Sequence, residues 1–203
     1  MLGVAGPLNP EQTRQLRLVE RSARQLLSLI NSLLDFRKLD AGAESLHVRR
    51  GDFVGFVKEI CVPFHVYAVE RHMGFSFSSE IEGLAMQFDP EKVQKIMLNL
   101  LSNAFKFTPE NNKIGVELNI DDRMAEKQLE IKVVDTGIGI PEEMQEKVFE
   151  RFFQSETSGP MVNQGSGIGL SLTREFAKLH GGHISVKSKP HEGSCFTVLL
   201  PIV

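Results

Sequence analysis

The sequence has few cysteines, no tryptophan and a single tyrosine. Its two cysteines, Cys61 and Cys195, are far apart, and neither belongs to a CxxC motif or a Cys/His cluster. This usage fits two reduced thiols in a cytosolic protein, and one disulfide between them remains an alternative. The first twelve residues lack a basic region followed by an apolar one, so no signal peptide is expected.

The chain also lacks an excess of positive charge and any apolar run long enough to cross a bilayer. The net charge of −3 gives no electrostatic argument for a nucleic-acid partner. The hydrophobic share of 41% and the charged share of 24% are typical of a soluble globular protein. A length of 203 residues is enough for one substantial α/β domain with a small appendage.

A long amphipathic helix is predicted near the start. Its apolar residues recur in steps of three and four, which is the pattern of a helix that packs lengthwise against others; they lie at positions 16, 19, 23, 26, 30 and 33. Asn9, Pro10 and Gln12 form a capping-box start, and Gly42 is placed to end the helix in a left-handed conformation.

The rest of the chain mixes strands and helices. Alternating apolar residues predict strands at 45–49, 75–79, 84–88, 113–120, 129–135, 183–188 and 195–201. Helices are predicted from Asp52 to about Met73, from Asp89 through Phe107, over 141–153, and from residue 168 to the glycines at 181 and 182. Because strands and helices do not alternate strictly, the prediction is an α/β sandwich with a mixed sheet covered on one face by helices.

The stretch NLLSNAFKFTP carries three polar residues on an otherwise core-forming helix. Asn99, Asn103 and Lys106 are spaced four and three apart, so they share one helix face. An asparagine carbonyl can serve as a magnesium ligand, and a lysine one turn away can offset phosphate charge. A polar stripe that simply faces solvent is the alternative.

Two glycine-rich stretches follow this helix. In DTGIGIP, Asp135 stands at a strand end, and Gly137 and Gly139 allow the backbone to approach a flat ligand closely. A buried carboxylate there can accept from an exocyclic amine such as that of adenine, although a tight turn would look the same. In GSGIGLSL, three glycines lead into a helix start that favours anions; they are Gly165, Gly167 and Gly169. A flexible loop that meets a helix is the alternative for this stretch.

The segment between these stretches contains paired aromatics and then a polar loop. Residues 154–164 offer few apolar anchors and predict a mobile lid that a ligand orders. The aromatics before it, Phe149, Phe152 and Phe153, would hold this lid against the domain.

The order of these segments resembles the N, G1, F and G2 boxes of sensor histidine kinases. NLLSNAFKFTP, VVDTGIGIP, VFERFFQ and GSGIGLSL all lie near the consensus of those boxes. The fold implied is the Bergerat ATP-binding fold. The N-terminal stretch RSARQLLSLINSLLDFRKLDAG is similar to the second helix of the dimerisation and histidine-phosphotransfer hairpin, so the resemblance covers essentially the whole chain.

The resemblance implies a role for each candidate residue, with ATP and Mg²⁺ as cofactors. Asn103 would be a magnesium ligand, Asn99 would lie beside the metal and the phosphates, and Lys106 would contact the phosphate chain. Asp135 would accept from the adenine amine with help from Thr197 through water. Phe107 would border the base, and the backbone would close around the nucleotide at Gly137, Gly139, Gly165, Gly167 and Gly169.

Two departures from the family pattern limit these expectations. None of the six histidines stands in the His-Glu-Leu-Arg-x-Pro context of the family's phosphoacceptor, so we expect the chain to bind ATP without autophosphorylating. Gln154 stands where many relatives carry an arginine. Hydrolytic members of the fold use a glutamate base where this chain has Asn99, which cannot take a proton from water; a decayed nucleotide-sensing scaffold is the other alternative.

The resemblance also implies a domain plan and partners. Residues 1–42 would be the second dimerisation helix, without the first helix and the phosphoacceptor, and residues 43–203 the catalytic ATP-binding domain. The parent would be a homodimer that passes phosphate to its own histidine and then to a response-regulator receiver domain. This part would lie in the cytoplasm of a parent anchored in the bacterial inner membrane, and the exposed helix stripe predicts self-association.

Overall fold

The computed structural model describes residues 8–42, 44–122, 127–154 and 167–203. Its helices are α1 (Pro10–Asp40), α2 (Phe53–Glu70), α3 (Pro90–Phe107) and α4 (Gly169–Leu179). Its strands are β1 (Arg49–Asp52), β2 (Gly74–Ser79), β3 (Ala85–Phe88), β4 (Lys113–Asp121), β5 (Gln128–Asp135), β6 (His183–Lys189) and β7 (Gly193–Pro201). In these ranges, no helix is long and apolar enough to cross a membrane.

Five strands form a mixed sheet in the order β2-β4-β5-β7-β6. Strand β2 runs parallel to β4, and the other neighbouring pairs are antiparallel. Alternate side chains on the central strands are buried, among them Ile114, Val116, Ile131 and Val198, because one face of the sheet packs on the helices. This arrangement confirms the predicted α/β sandwich.

Helix α3 lies in the centre of the helical layer. Its apolar positions are almost fully buried; they are Val93, Ile96, Met97, Leu100, Leu101, Ala104 and Phe105. Asp89 caps the helix by accepting from the Lys92 N–H at 3.1 Å, and Pro90 occupies the first turn. The core therefore fixes which face of α3 is left for polar residues.

Helix α1 begins with the predicted capping box. The Asn9 side chain accepts from the Gln12 N–H at 2.7 Å, and the Gln12 side chain accepts from the Asn9 N–H at 3.0 Å. Gly42 follows the helix with φ +62°, a left-handed conformation that glycine adopts readily. Local sequence thus sets both ends of this helix.

In the described part of the chain, α1 contacts the other elements through its C-terminal end. The Asp35 carboxylate lies 2.8 Å from the Lys95 ammonium of α3, and the Arg151 guanidinium stacks 4.4 Å from the Phe36 ring centroid. Arg151 also contacts the Asp40 carboxylate at 3.4 Å. The predicted apolar stripe is exposed over the remaining turns, including Leu16, Val19, Leu26, Ile30 and Leu33.

Two predicted boundaries are wrong by a few residues. The first short strand covers Arg49–Asp52 rather than 45–49, since pairing with β3 sets its position and the local pattern does not. Helix α2 ends at Glu70, before Met73, because His72 takes a left-handed φ of +53° that no α-helix accommodates.

The helix predicted over 141–153 is also wrong. The structure has two single 3₁₀ turns, Glu142–Met144 and Lys147–Phe149. Long-range contacts outweigh helix propensity here: the Gln145 amide donates to the Ser188 carbonyl oxygen at 2.8 Å, and the Phe149 ring lies 6.2 Å from that of Phe196. Phe152 then adopts φ +62° and donates its N–H to the Gly167 carbonyl oxygen at 2.9 Å.

Both cysteines are free thiols, which decides between the two alternatives left by the sequence. Cys61 is buried in α2, and burial raises its pKa to about 12. Cys195 is half-buried on β7, where burial also raises its pKa. Neither thiol is ionised at neutral pH, so neither is poised for nucleophilic chemistry.

Candidate nucleotide-binding site

The polar residues of α3 lie along the half-buried side of the helix, next to the start of α4. The Asn99 side-chain Nδ2 donates to the Gly169 carbonyl oxygen at 3.2 Å and lies 3.4 Å from the Thr173 hydroxyl. Thr173 is fully buried and donates to the same carbonyl at 2.9 Å. Both Asn99 amide hydrogens therefore point toward α4, which leaves Oδ1 as the free acceptor of that side chain.

Asn103 and Lys106 have no polar partners among the described residues. Asn103 is half-buried, and no described residue forms a hydrogen bond with its amide. Lys106 is half-buried as well; its ammonium lies 4.7 Å from the Phe107 ring centroid, with no carboxylate paired to it in those parts of the chain. Burial lowers the pKa of Lys106 because it disfavours the charged ammonium, and no described carboxylate opposes that effect.

Asp135 ends β5 as a buried carboxylate that is 6% exposed. Burial raises its pKa, although hydrogen bonds from the backbone N–H groups of Gly137 and Ser194 oppose that effect. The Gly137 bond measures 2.9 Å. No cation pairs with Asp135 among the described residues, so it keeps acceptor capacity in a desolvated position.

The turn after Asp135 meets the end of α3. The Ile138 N–H donates to the Phe107 carbonyl oxygen at 3.2 Å. A Cβ at Gly137 would come within 2.4 Å of the same oxygen, so only glycine permits this approach. Asn103 lies one helical turn before Phe107. At the rise of an α-helix, Asn99 lies about 12 Å from Phe107 along the helix axis. The turn after Asp135 therefore contacts the C-terminal end of α3, and Asn99, two turns earlier on α3, contacts the start of α4.

Two of the other predicted glycines, Gly139 and Gly167, have positive φ angles and lie against the backbone of other segments. Gly139 has φ +70°, and a Cβ there would meet the Lys189 carbonyl oxygen at 1.9 Å. Gly167 has φ +68° and lies against Phe152, so the two ends of the segment between them are side by side. Gly165 and all of the predicted lid at 154–164 except Gln154 lie outside the described residues.

Thr197 does not join the other candidates, and its predicted proximity to Asp135 is wrong. Asp135 pairs with Ser194 across the β5–β7 ladder, and Thr197 pairs with Lys132. Because side chains alternate along a strand, Thr197 faces the opposite side of the sheet, where its hydroxyl lies 3.8 Å from the Cys195 sulfur.

Ser194, rather than Thr197, is the β7 residue that pairs with Asp135. It is 7% exposed and lies on the same face of the sheet as Asp135. Its hydroxyl is 3.0 Å from that of Ser188 on the neighbouring strand. The register of β7 against β5 decides that Ser194 pairs with Asp135 and that Thr197 does not. This register depends on where the β6–β7 turn lies, and the alternation of apolar residues along the sequence does not reveal it.

The donor set matches a nucleotide bound with magnesium. A desolvated carboxylate at one end suits an exocyclic amine, and a half-buried lysine without a counter-ion suits a phosphate. The Asn103 amide oxygen and the Asn99 Oδ1, neither of which has a hydrogen-bond donor in the described part of the chain, are hard ligands of the kind that Mg²⁺ takes alongside phosphate oxygens and water. No group of three or more His, Cys, Asp or Glu side chains able to hold a metal occurs in the described part of the chain.

Comparison with known proteins supports the same conclusion. Residues 88–203 match the family described as histidine kinase-, DNA gyrase B- and HSP90-like ATPases. The chain belongs to this family. Within it, the domain is of the sensor histidine kinase type: it is 38% identical over 192 residues to Histidine kinase P4 of Formosa agariphila, covering 93% of this chain and 14% of that protein.

Solved structures of histidine kinases share the fold. Full-length ShkA in complex with AMPPNP superposes with a TM-score of 0.81 at 25% identity, covering 98% of this chain and 40% of that one. The nucleotide-free catalytic domain of histidine kinase ThkA gives a TM-score of 0.66 at 26% identity, covering 77% of this chain and 99% of that domain. This histidine-kinase-type chain spans 14% of the length of P4 and 40% of the ShkA chain.

Proposed function

We propose that this chain binds MgATP and presents the γ-phosphate for transfer to a histidine, as the catalytic part of a sensor histidine kinase. One observation carries the proposal: the Phe107 carbonyl oxygen accepts from the Ile138 N–H, which brings the turn after the buried Asp135 to the end of α3. This contact supports one site in which Asp135 would recognise the base and the polar face of α3 would recognise the phosphates.

Each residue has a role that its surroundings support. Asp135 accepts from the base amine, and Phe107 borders the base. Asn103, with Asn99 beside it, would hold Mg²⁺. Lys106, which is partly desolvated and has no carboxylate partner among the described residues, would neutralise phosphate charge. When bound, MgATP supplies the γ-phosphoryl group, and the protein's contribution is positioning and charge neutralisation.

We propose phosphotransfer rather than hydrolysis because position 99 is an amide. A side-chain amide is not basic, so Asn99 cannot take a proton from water. Its Nδ2 donates to the Gly169 carbonyl oxygen and lies within hydrogen-bond distance of the Thr173 hydroxyl. None of the described contacts places a carboxylate in that position.

We infer that the phosphoacceptor histidine lies outside these 203 residues. The most buried described histidine, His180, is committed to hydrogen bonds with the Asp89 N–H and the Phe176 carbonyl oxygen. The further proposed partner is a response-regulator receiver domain, which receives the phosphoryl group from the histidine. The proposed setting is the cytoplasmic side of a membrane-anchored bacterial parent, with residues 1–42 as part of its dimerisation domain and 43–203 as its catalytic domain.

Calorimetric titration of the 203-residue chain with ATP, with and without Mg²⁺, tests this function. We expect binding that requires Mg²⁺ and that Asn103→Ala weakens at least about tenfold. Ser102→Ala is the matched control, because Ser102 is the exposed neighbour of Asn103 on α3. Binding that Mg²⁺ and Asn103→Ala leave unchanged contradicts the proposal and supports a scaffold without catalytic function.

A second experiment separates phosphotransfer from hydrolysis. With γ-labelled ATP we expect no acid-labile label on the isolated chain and no sustained phosphate release. Adding a dimerisation hairpin that carries the phosphoacceptor histidine should produce label on that hairpin. Label on the isolated chain would place the acceptor within it, and steady ATP turnover abolished by Asn99→Ala would indicate a hydrolase.

A further inference from the structure

The turn that follows Asp135 is bound to the β6–β7 hairpin by several hydrogen bonds. The Ile140 N–H donates to the Ser188 hydroxyl oxygen at 2.7 Å, and the His191 N–H donates to the Ile138 carbonyl oxygen at 2.7 Å. The Gln145 amide bridges the carbonyl oxygens of Ile140 and Ser188 at 3.2 and 2.8 Å. The hairpin therefore determines where this turn lies.

Ser188 is the point where these contacts meet. Its hydroxyl is 2.7 Å from the Gly193 carbonyl oxygen, 2.7 Å from the Ile140 nitrogen and 3.0 Å from the Ser194 hydroxyl. Ser188 pairs with Ser194 across the β6–β7 ladder, and Ser194 pairs with Asp135 across the β5–β7 ladder. One side chain thus links the turn, the hairpin and the residue next to the buried carboxylate.

The proton positions in this group follow from donor and acceptor counting. A carbonyl oxygen can only accept, so the single hydroxyl proton of Ser188 goes to Gly193. The Ser188 oxygen then accepts from the Ile140 N–H and from the Ser194 hydroxyl. The Ser194 hydroxyl proton is then used in the bond to Ser188, and its oxygen remains an acceptor on the residue that pairs with Asp135 across the ladder.

Of the described residues that pair at this end of the site, Asp135 and Ser194 therefore each offer a side-chain acceptor. An amine at the corresponding position of a bound base donates hydrogen bonds to such a pair. A carbonyl oxygen there faces two acceptors and leaves buried polar groups unpaired, which is costly.

We propose that Ser188 is a positioning and specificity residue that sets this polarity and so makes the site select 6-amino purines over 6-oxo purines. Ser188 acts through Ser194 and the turn after Asp135, without contacting the nucleotide. The inference rests on the proposed function, since it needs the base to lie at Asp135.

The test compares ATP with ITP, which carries an oxygen in place of the 6-amino group, and with magnesium tripolyphosphate, which has no base. Dissociation constants are measured for the wild-type chain, Ser188→Ala, Ser188→Thr and Ser185→Ala. Ser185 is exposed on the same strand, three residues away and facing the other side of the sheet, so it is the matched control.

We expect the wild type to prefer ATP over ITP by about tenfold or more. Ser188→Ala should reduce that preference at least about fivefold while tripolyphosphate affinity stays within about twofold, because the phosphate end of the site is untouched. Ser188→Thr keeps the hydroxyl and should restore the preference, and Ser185→Ala should behave as wild type.

Three outcomes overturn the inference. In the first, Ser188→Ala keeps the wild-type ratio of ATP to ITP affinity. In the second, Ser188→Ala lowers the affinities for ATP, ITP and tripolyphosphate by the same factor, which would indicate a structural role alone. A Ser188→Thr variant that folds with the wild-type melting temperature and still lacks the preference would also overturn it. If the wild type binds no ATP at all, the proposed function fails first, and this inference fails with it.

Discussion

The Asn99 side-chain amide donates a hydrogen bond to the Gly169 carbonyl oxygen at 3.2 Å. This bond joins α3 to the first turn of α4 and fixes the direction of the Asn99 amide. A Cβ on Gly169 would lie 3.1 Å from the Asn99 Oδ1, closer than an ordinary contact. The geometry of the proposed metal and phosphate region therefore depends on a glycine that begins the neighbouring helix.

Gly169→Ala should reduce MgATP affinity by about three- to tenfold, because the added methyl group displaces the Asn99 amide. Alanine is the better helix former, so the melting temperature should not fall. Calorimetric titration and thermal unfolding monitored by circular dichroism measure the two effects. An unchanged affinity in a folded Gly169→Ala protein would show that the Asn99 orientation does not matter for binding.

Lys106→Met should weaken MgATP binding by about tenfold or more without loss of stability. The Lys106 ammonium is desolvated and has no described carboxylate partner, so its removal relieves a cost in the free chain while it removes a phosphate contact. The exposed Lys187, on β6, supplies the control variant Lys187→Met. Equal effects of the two substitutions would mean that Lys106 acts only through net charge.

ATP affinity should fall on acidification as Asp135 takes up a proton. Burial raises the pKa of Asp135 above 3.8, so the loss begins at a higher pH than an ordinary aspartate would produce. The protonated carboxyl has one acceptor fewer for the base amine. Titrations of ATP and tripolyphosphate across pH separate this effect from protonation of the phosphates, and Asp135→Asn should remove the difference between their pH profiles.

The same shift has a defined effect on stability. Because the folded pKa of Asp135 is raised, its ionised form lowers the free energy of unfolding at neutral pH. The penalty is present above the folded pKa and absent below the unfolded one. A ligand that hydrogen-bonds the carboxylate should offset part of this penalty, so ATP should bind more tightly than tripolyphosphate. At equal free ligand concentrations, ATP should therefore raise the melting temperature more than tripolyphosphate does.

Asp35 and Lys95 should show a measurable coupling between α1 and α3. Burial lowers the pKa of Lys95, but hydrogen bonds to Asp35 and Glu91 outweigh it and leave the pKa raised, so the pair stabilises the fold at neutral pH. A double-mutant cycle of Asp35→Asn and Lys95→Gln should give about 0.5 to 1 kcal/mol in urea unfolding.

An exposed ion pair within α1 provides the comparison for that cycle. The Arg24 and Glu20 side chains are 79% and 59% exposed, so their coupling should be near the lower end of the range for surface pairs. A value for Asp35 and Lys95 no larger than this one would indicate that the end of α1 is not held on α3 in solution.

The exposed stripe of α1 should drive self-association of the chain. Leu26 is 59% exposed and Ile30 46%, and both belong to the repeat of three and four. Sedimentation velocity should show weight-average mass rising with concentration, and Leu26→Gln with Ile30→Gln should reduce that rise. Leu18→Gln is the control, since Leu18 is 65% exposed but lies off the stripe.

The sequence was sufficient to predict those features that depend only on residues close together in the chain. The Asn9 capping box, the Gly42 stop and the Asp89 cap occur as predicted because each involves residues three or four apart. The sequence also predicted that Asn99 and Asn103 share one face of α3, because residues four apart on a helix lie on the same side.

The sequence by itself determined the helices, the alternating strands and the set of residue types that a nucleotide site needs, because those depend on neighbours along the chain. Only the tertiary structure decided which residues meet. Strand register placed Ser194 rather than Thr197 beside Asp135, and packing against β6 and β7 turned a predicted helix over 141–153 into two short turns. The physical reason is the same in both cases. Contacts between segments far apart in the chain outweigh the local preference for helix or strand, and the periodicity of apolar residues does not reveal those contacts.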